Sequence, residues 1–551
     1  IYLIEPGVLA DSLFNLLLMA SKHRSRNVSS ASFCGWDALK ENIFRYIPDI
    51  RSGTRNHLFE KFIELLKVLL QQCTHRSIIE DFTQESELSE EDELDEEVGM
   101  SFPGYRLHAG EFIGTIYTLL EEFLGKPGSD AFHGVLVHTL NYAAETTNPT
   151  EKITCAEVAL FAYRNTLDGR DLTELDSDLM EIIRAVFLLP KAFMIQRAAL
   201  LLVEECNEQL NLISPEDLDG LMKYSIEAMN NRNLQGIASK CLESLGRHCS
   251  QNVTADHIKL MLDFMEKNSL ALTLEAAGRF SEGLCELSVG VPQFREEALQ
   301  RSLGVPVGTL KEINPSETHE VVANVTKSVR MLCVGLKALD SLEMDPIKTI
   351  LLPVMAEVWT KLADLTRFYA MFPNVITEMC ALNRQLIKTL SYSLTDHFPP
   401  MISSLLEAFE KNYKHNTKCL AVLSFANSII GDSPEFKNYL SESYEKVNTA
   451  VLNILKMDPQ TDLAQYFFWF QLSVLENNYQ LLMGSPELET IILLACNGLQ
   501  KLVERDTSKQ ILKFLEAFVG MQYPQYSDGI NQCVPRIVEN LILALPNLSL
   551  T

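Results

Sequence analysis

A helical phrase returns along this chain at intervals of about forty residues, with small residues at its centre and apolar residues at helical spacing. It reads QRAALLLVEEC from Gln196, GIASKCLESLGRHC from Gly236, LEAAGRFSEGLCEL from Leu274 and NTKCLAVLSFANSII from Asn416. A unit of that length is one helix pair, which cannot bury its apolar face alone, so neighbouring pairs must stack on it. The phrase predicts an all-α HEAT-repeat solenoid, a right-handed superhelix of antiparallel helix pairs. Residues 1–551 read as a single array of roughly ten to thirteen pairs. Ala198, Ala199, Ala238, Ala276 and Ala277 fall inside the predicted helices, where a small side chain lets the next helix approach closely. An array of this kind offers a long surface for grasping a partner and seldom a catalytic pocket.

Composition narrows what that surface meets. There are 73 Asp and Glu against 47 Lys and Arg, a formal charge of −26. Direct nucleic-acid binding is excluded on that ground, because phosphate recognition needs a basic track. A field of this sign attracts a basic partner. The twelve cysteines form no CxxC pair and read as small core fillers in a reduced compartment. Leu13–Ala20, the longest early apolar run, is too short to span a bilayer, so no membrane insertion is expected.

Signals for catalysis or cofactors are missing. His108 and Glu111 lie one helical turn apart without a third metal ligand, and Gly125-Lys126-Pro127-Gly128 lacks the spacing of a phosphate loop. Neither a GxSxG elbow nor a GxGxxG fingerprint occurs. The chain is expected to be no enzyme and to hold no cofactor or metal.

Two features stand out from the repeat. Between two predicted helices, ESELSEEDELDEE packs nine acids into thirteen residues: Glu85, Glu87, Glu90, Glu91, Asp92, Glu93, Asp95, Glu96 and Glu97. Charge of that density opposes a packed fold, so residues 80–103 are predicted to be an acidic loop insertion that competes for a basic partner. The crowding of Gly304, Pro306, Gly308 and Pro315 predicts a longer connection, or a break in the superhelix, over 304–316. On the helices themselves, Arg384 and Lys388 are one turn apart, as are Glu282 and Glu286, and all four are candidates for the gripping face.

Several segments, taken in order, resemble the karyopherin-β (importin-β) superfamily, in particular its transportin-SR and importin-thirteen branch. They are FCGWDALKENIFRYI from Phe33, FIELLKVLLQQC from Phe62, the acidic segment running into PGYRLHAGEFIGTIYTLL, AEVALFAYRNTL from Ala156, FLLPKAFMIQRAALLLVEE from Phe187, LDGLMKYSIEAMNNRNLQGIASKCLESLGRHC from Leu218 and NVITEMCALNRQLIKTLSYS from Asn374. The resemblance implies a shuttling nuclear transport receptor, most simply an importin. Its implied partners are protein cargo, Ran GTPase and nucleoporins. It further implies that the chain is a piece of a longer receptor whose amino-terminal arch, the main grip on Ran, precedes Ile1. The transportin-SR relative has an arginine-rich helix for phosphorylated arginine-serine domains. Its counterpart here, Val375–Leu390, keeps only Arg384 and Lys388 as cations. A static HEAT scaffold is the alternative reading.

Overall fold

The computed structural model describes residues 8–46, 52–75, 101–167, 177–206, 210–211, 213–249, 252–341, 344–356, 358–431, 433–457, 460–501, 504–521 and 527–548. Those residues form α-helices joined by short turns and 3-10 segments, with no strand among them. None of their helices is long and apolar enough to cross a membrane. Packing divides the chain into two compact units, residues 1–257 and 258–551.

In the first unit, helices α1 (Val8–Ser21), α2 (Arg26–Tyr46), α3 (Ser52–Cys73), α4 (Phe102–Leu124), α5 (Lys126–Glu145), α6 (Pro149–Arg164), α7 (Ser177–Leu188), α8 (Phe193–Glu205), α9 (Pro215–Ala228) and α10 (Gln235–His248) alternate between two layers. One layer runs α2, α4, α6, α8, α10, each helix packed on the next, while α1, α3 and α5 and then α7 and α9 lie behind. The repeated phrase supplies α8 and α10. Ala198, Ala199 and Ala238 are buried there, which is the close approach their size allows.

Local chemistry sets the helix starts. Ser101, Asn148 and Ser214 each cap a helix by accepting a hydrogen bond from a backbone N–H two or three residues on, with proline in the first turn. Phe102 and Pro103, placed by the sequence at the end of the 80–103 insertion, are the first residues of α4 because Ser101 caps them. The GKPG sequence is an elbow: Gly125, at φ +63°, is the only residue between α4 and α5. A Cβ on Gly128 would lie 1.9 Å from the Leu120 carbonyl oxygen, so only glycine lets the two helices meet this closely.

The second unit continues the plan. Helix α11 (Ala255–Asn268) leads into it, followed by α12 (Leu274–Gly290), α13 (Arg295–Glu312), α14 (His319–Ala338), α15 (Met344–Ala356), α16 (Trp359–Phe368), α17 (Pro373–Leu390), α18 (Phe398–Lys411), α19 (Lys418–Ile430), α20 (Pro434–Met457), α21 (Thr461–Met483), α22 (Leu488–Lys501), α23 (Arg505–Val519) and α24 (Ser527–Leu548). Here α12, α14, α17, α19, α21 and α23 stack in sequence as one layer, backed by α13, α15, α16, α18, α20, α22 and α24.

The predicted connection at 304–316 starts later than expected. Residues 304–312 belong to α13, Pro306 included, and the chain is irregular only at 313–318. Leu299, Leu303, Val307 and Leu310 form a buried stripe on α13. Burying four such side chains contributes about 6–12 kcal/mol, against about 5 kcal/mol for one proline and two glycines in a helix. Packing therefore outweighs the breakers. The stretch 347–365 folds as parts of two helices, α15 and α16, with a turn at Val358.

Candidate protein-binding surface

The nine acids from Glu85 to Glu97 lie outside the described residues. What the structure does describe is the ground on either side of them. His75 and Phe102 meet edge to face, with ring centres 4.9 Å apart, and Arg26 of α2 lies over the Phe102 ring at 4.5 Å. Beneath them Arg106 of α4 donates from Nη2 to Glu157 Oε1 of α6 at 2.7 Å, meets His75 Nε2 through Nη1, and covers the Phe161 ring at 4.1 Å. Arg106 and Glu157 are 9% and 7% exposed, so this is a buried ion pair with aromatic walls.

Burial, then the charges of Arg106 and Arg197, push His75 down to about 4 from 6.5. Glu157 Oε2 stands 4.0 Å away and would favour the imidazolium, but Arg106 holds the same carboxylate through Oε1, so burial and the two guanidiniums prevail. The folded value lies below the unfolded one. His75 therefore adds stability that is complete above pH 6.5 and lost as pH falls through the window toward about 4. Between those limits the protein should lose on the order of 2–3 kcal/mol more than a His75→Gln variant, read from urea midpoints. Equal losses in the two proteins would remove His75 as the cause.

Arg384 and Lys388 are both exposed on one side of α17, as their spacing implies. Their surroundings differ. Lys388 Nζ pairs with Asp340, whose other oxygen accepts from Gln385 Nε2 at 3.0 Å. Arg384 pairs with no carboxylate among the described residues, and its guanidinium lies 4.7 Å over the Phe425 ring of α19. A neighbouring cation on α14, Arg330, is already held by Glu378 at 3.1 Å. Glu282 and Glu286 are half-buried on α12.

Sequence reasoning missed the aromatic residues of this layer, of which Phe425 is one. On the next helix of the same layer, Tyr466 and Trp469 of α21 stack with ring centres 6.2 Å apart at 21°. Burial and the Asp462 carboxylate push the Tyr466 phenol up, which keeps it a neutral hydrogen-bonding tip. Phe425, Tyr466 and Trp469 are each half-buried, and Ile429 is exposed one turn along α19 from Phe425. Tryptophan, tyrosine and arginine on packed helices are the residue types that dominate protein interfaces, since they offer large rigid area with little entropy to lose. Trp36 and Trp359 are buried; Trp469 alone among the tryptophans offers a partly open face.

His108 and Glu111 form an exposed pair at 4.0 Å, and no group of three possible metal ligands occurs among the described residues.

No protein-family model matches the sequence, and no curated protein matches it either. Solved structures do match. The cytosolic state of importin-13 aligns with 98% of this chain at a TM-score of 0.71 and 15% identity. The Kap95:Nup1 complex aligns with 96% of it at 0.55 and 12% identity. Karyopherin Kap121p, bound to the extreme C-terminus of the protein phosphatase Cdc14p, aligns with 99% at 0.53 and 12% identity. The chain spans 61% of the length of the importin-13 chain, 61% of the chain matched in the Kap95:Nup1 complex and 53% of that matched with Kap121p. At these identities what is shared is architecture: two layers of stacked helix pairs make this chain a HEAT-repeat protein with the fold of the importins and karyopherins.

Proposed function

We propose that the chain acts in a nuclear transport receptor, carrying protein cargo between cytoplasm and nucleus under control of Ran GTPase, most simply for import. The likeness to importin-13 along 98% of the chain carries the reading. Further support comes from Arg384, Phe425, Tyr466 and Trp469, which give one layer of the second unit the composition of a protein-binding surface. Lys388 borders that surface. The acids at 85, 87, 90–93 and 95–97, with the overall charge of −26, suit a basic cargo. Nucleoporins are proposed as further partners, as Kap95 was solved with Nup1.

The test is binding of Ran by the protein in its full natural length. GTP-loaded Ran should bind and displace cargo, and GDP-loaded Ran should do neither. Indifference to both nucleotide forms would assign the protein to the rival class of static HEAT scaffolds. Deleting residues 85–97 should weaken capture of a basic cargo or change its competition with Ran. Unchanged capture and competition would reduce the segment to a passive insertion.

A further inference from the structure

Two buried sulfurs of the second unit touch. Cys380 of α17 and Cys419 of α19 lie with their Sγ atoms 3.7 Å apart, across two helices that stack directly on each other. Other buried cysteines set their sulfurs against oxygen: Cys241 and Cys249 each donate to a leucine carbonyl at 3.0 Å, and Cys285 lies against the Ser302 hydroxyl. Those read as small core fillers. Two thiols 39 residues apart in sequence and in van der Waals contact can do one thing that a pair of alanines cannot, which is to bond to each other.

A disulfide needs about 2.05 Å between its sulfurs, so these two must close by roughly 1.7 Å, within reach of side-chain rotation. Their access to solvent differs. Cys380 is 4% exposed and Cys419 has no exposure, so a small oxidant reaches Cys380 first. Contact with the Cys380 sulfur, then burial, push the Cys419 thiol well above its ordinary range, which keeps it protonated until its neighbour reacts. Arg384, one turn along α17 from Cys380, lies 4.7 Å over Phe425 of α19, so a bond here would also fix the spacing on which that stack depends.

We propose that Cys380 and Cys419 form a redox latch, which hydrogen peroxide closes to a disulfide tying α17 to α19 and which a small thiol reopens. In the first step Cys380 Sγ gives an electron pair to one peroxide oxygen, the O–O bond breaks, and the other oxygen leaves as water with the thiol proton. Cys419 Sγ then attacks the Cys380 sulfenic acid. The S–S bond forms, and the sulfenic oxygen leaves as a second water with the Cys419 proton. Both sulfurs are oxidised and the peroxide is reduced to water; reopening consumes two thiols, which leave as their own disulfide. Because the second sulfur is already in contact, disulfide closure outruns further oxidation of Cys380. Burial makes the first step slow, since peroxide must wait for local opening of the helix pair. The latch therefore answers sustained oxidant and ignores a brief pulse. It stands apart from the transport reading, since a joint between two repeats serves a receptor or a scaffold alike.

The test treats the intact, folded protein with hydrogen peroxide, alkylates it in denaturant and digests it without reduction. Mass spectrometry should find a peptide pair bridged from Cys380 to Cys419, with both thiols shielded from alkylation until dithiothreitol is added. Amide exchange in α17 and α19 should slow by about tenfold or more on oxidation, because the bond removes their separate opening. Cys419→Ser should leave Cys380 as a sulfenic acid that dimedone captures, whereas Cys380→Ser should leave Cys419 unreacted. Should either serine variant fail to fold, the peptide map and exchange of the unaltered protein still decide the matter. Oxidation of other cysteines with this pair left reduced, a bridge that forms only in denaturant, or a bridge that leaves exchange unchanged would each overturn the proposal.

Discussion

Replacing Glu157 by alanine should destabilise the first unit by about 3–5 kcal/mol, among the largest losses any single substitution in this chain can produce. The carboxylate is 7% exposed, and Arg106, its partner at 2.7 Å, is 9% exposed. Removing one member leaves a guanidinium buried between Phe102 and Phe161 without a counter-charge. Nearby cations worsen the imbalance. Burial and the neighbouring Arg197 and Arg106 already pull Arg164 below its ordinary range against the support of Glu205. Hydrogen exchange of the α4 and α6 amides is the suitable measurement, because a repeat array need not unfold in one step. Replacing both partners with apolar residues, Arg106→Met with Glu157→Leu, should recover most of the loss, since no buried charge then remains. If Glu157→Ala alone costs under about 1 kcal/mol, the pair is solvated in solution and the buried-charge account fails.

The second large effect concerns partner binding, and it rests on the proposed function. Trp469→Ala and Arg384→Ala should each weaken an identified protein cargo by about 2 kcal/mol or more, close to thirtyfold. Lys388→Ala should cost less than about fivefold, although it is one turn from Arg384, because Lys388 is already paired with Asp340 at the exposed rim. The contrast between two neighbouring cations makes this a test of the patch as well as of the helix. Calorimetry on the three variants, with melting curves as a control for folding, decides it. A loss at Lys388 as large as at Arg384, or no loss at Trp469, would place the binding surface elsewhere.

Sequence periodicity made the architecture legible because a helix writes its buried face at a spacing of about 3.6 residues, a local property. The alanines at 198, 199, 238, 276 and 277 are buried as their positions implied. Helix α13 was misread at its carboxyl-terminal half because Pro306 and its glycines are local signals, while the burial of Leu299, Leu303, Val307 and Leu310 that overrides them is not. The patch was half legible. Arg384 and Lys388 are visible as cations one turn apart, but which of them is neutralised depends on Asp340, which lies 48 residues before Lys388.

What the sequence determined by itself is the kind of protein: stacked helix pairs, a strongly acidic surface and one dense acidic segment, all properties that composition and local spacing encode. What only tertiary structure decided is which polar and aromatic groups are spent on the fold and which are left to bind. In YFFWF the run from Tyr466 to Phe470 is apolar all round the helix, and only the packing of α19, α20 and α23 around it buries Phe467, Phe468 and Phe470 while leaving Trp469 partly open. Arg106 likewise reads as a solvated cation until Glu157, 51 residues away, is brought against it. Exposure and pairing are set by neighbours distant in the chain, so no local pattern can carry them.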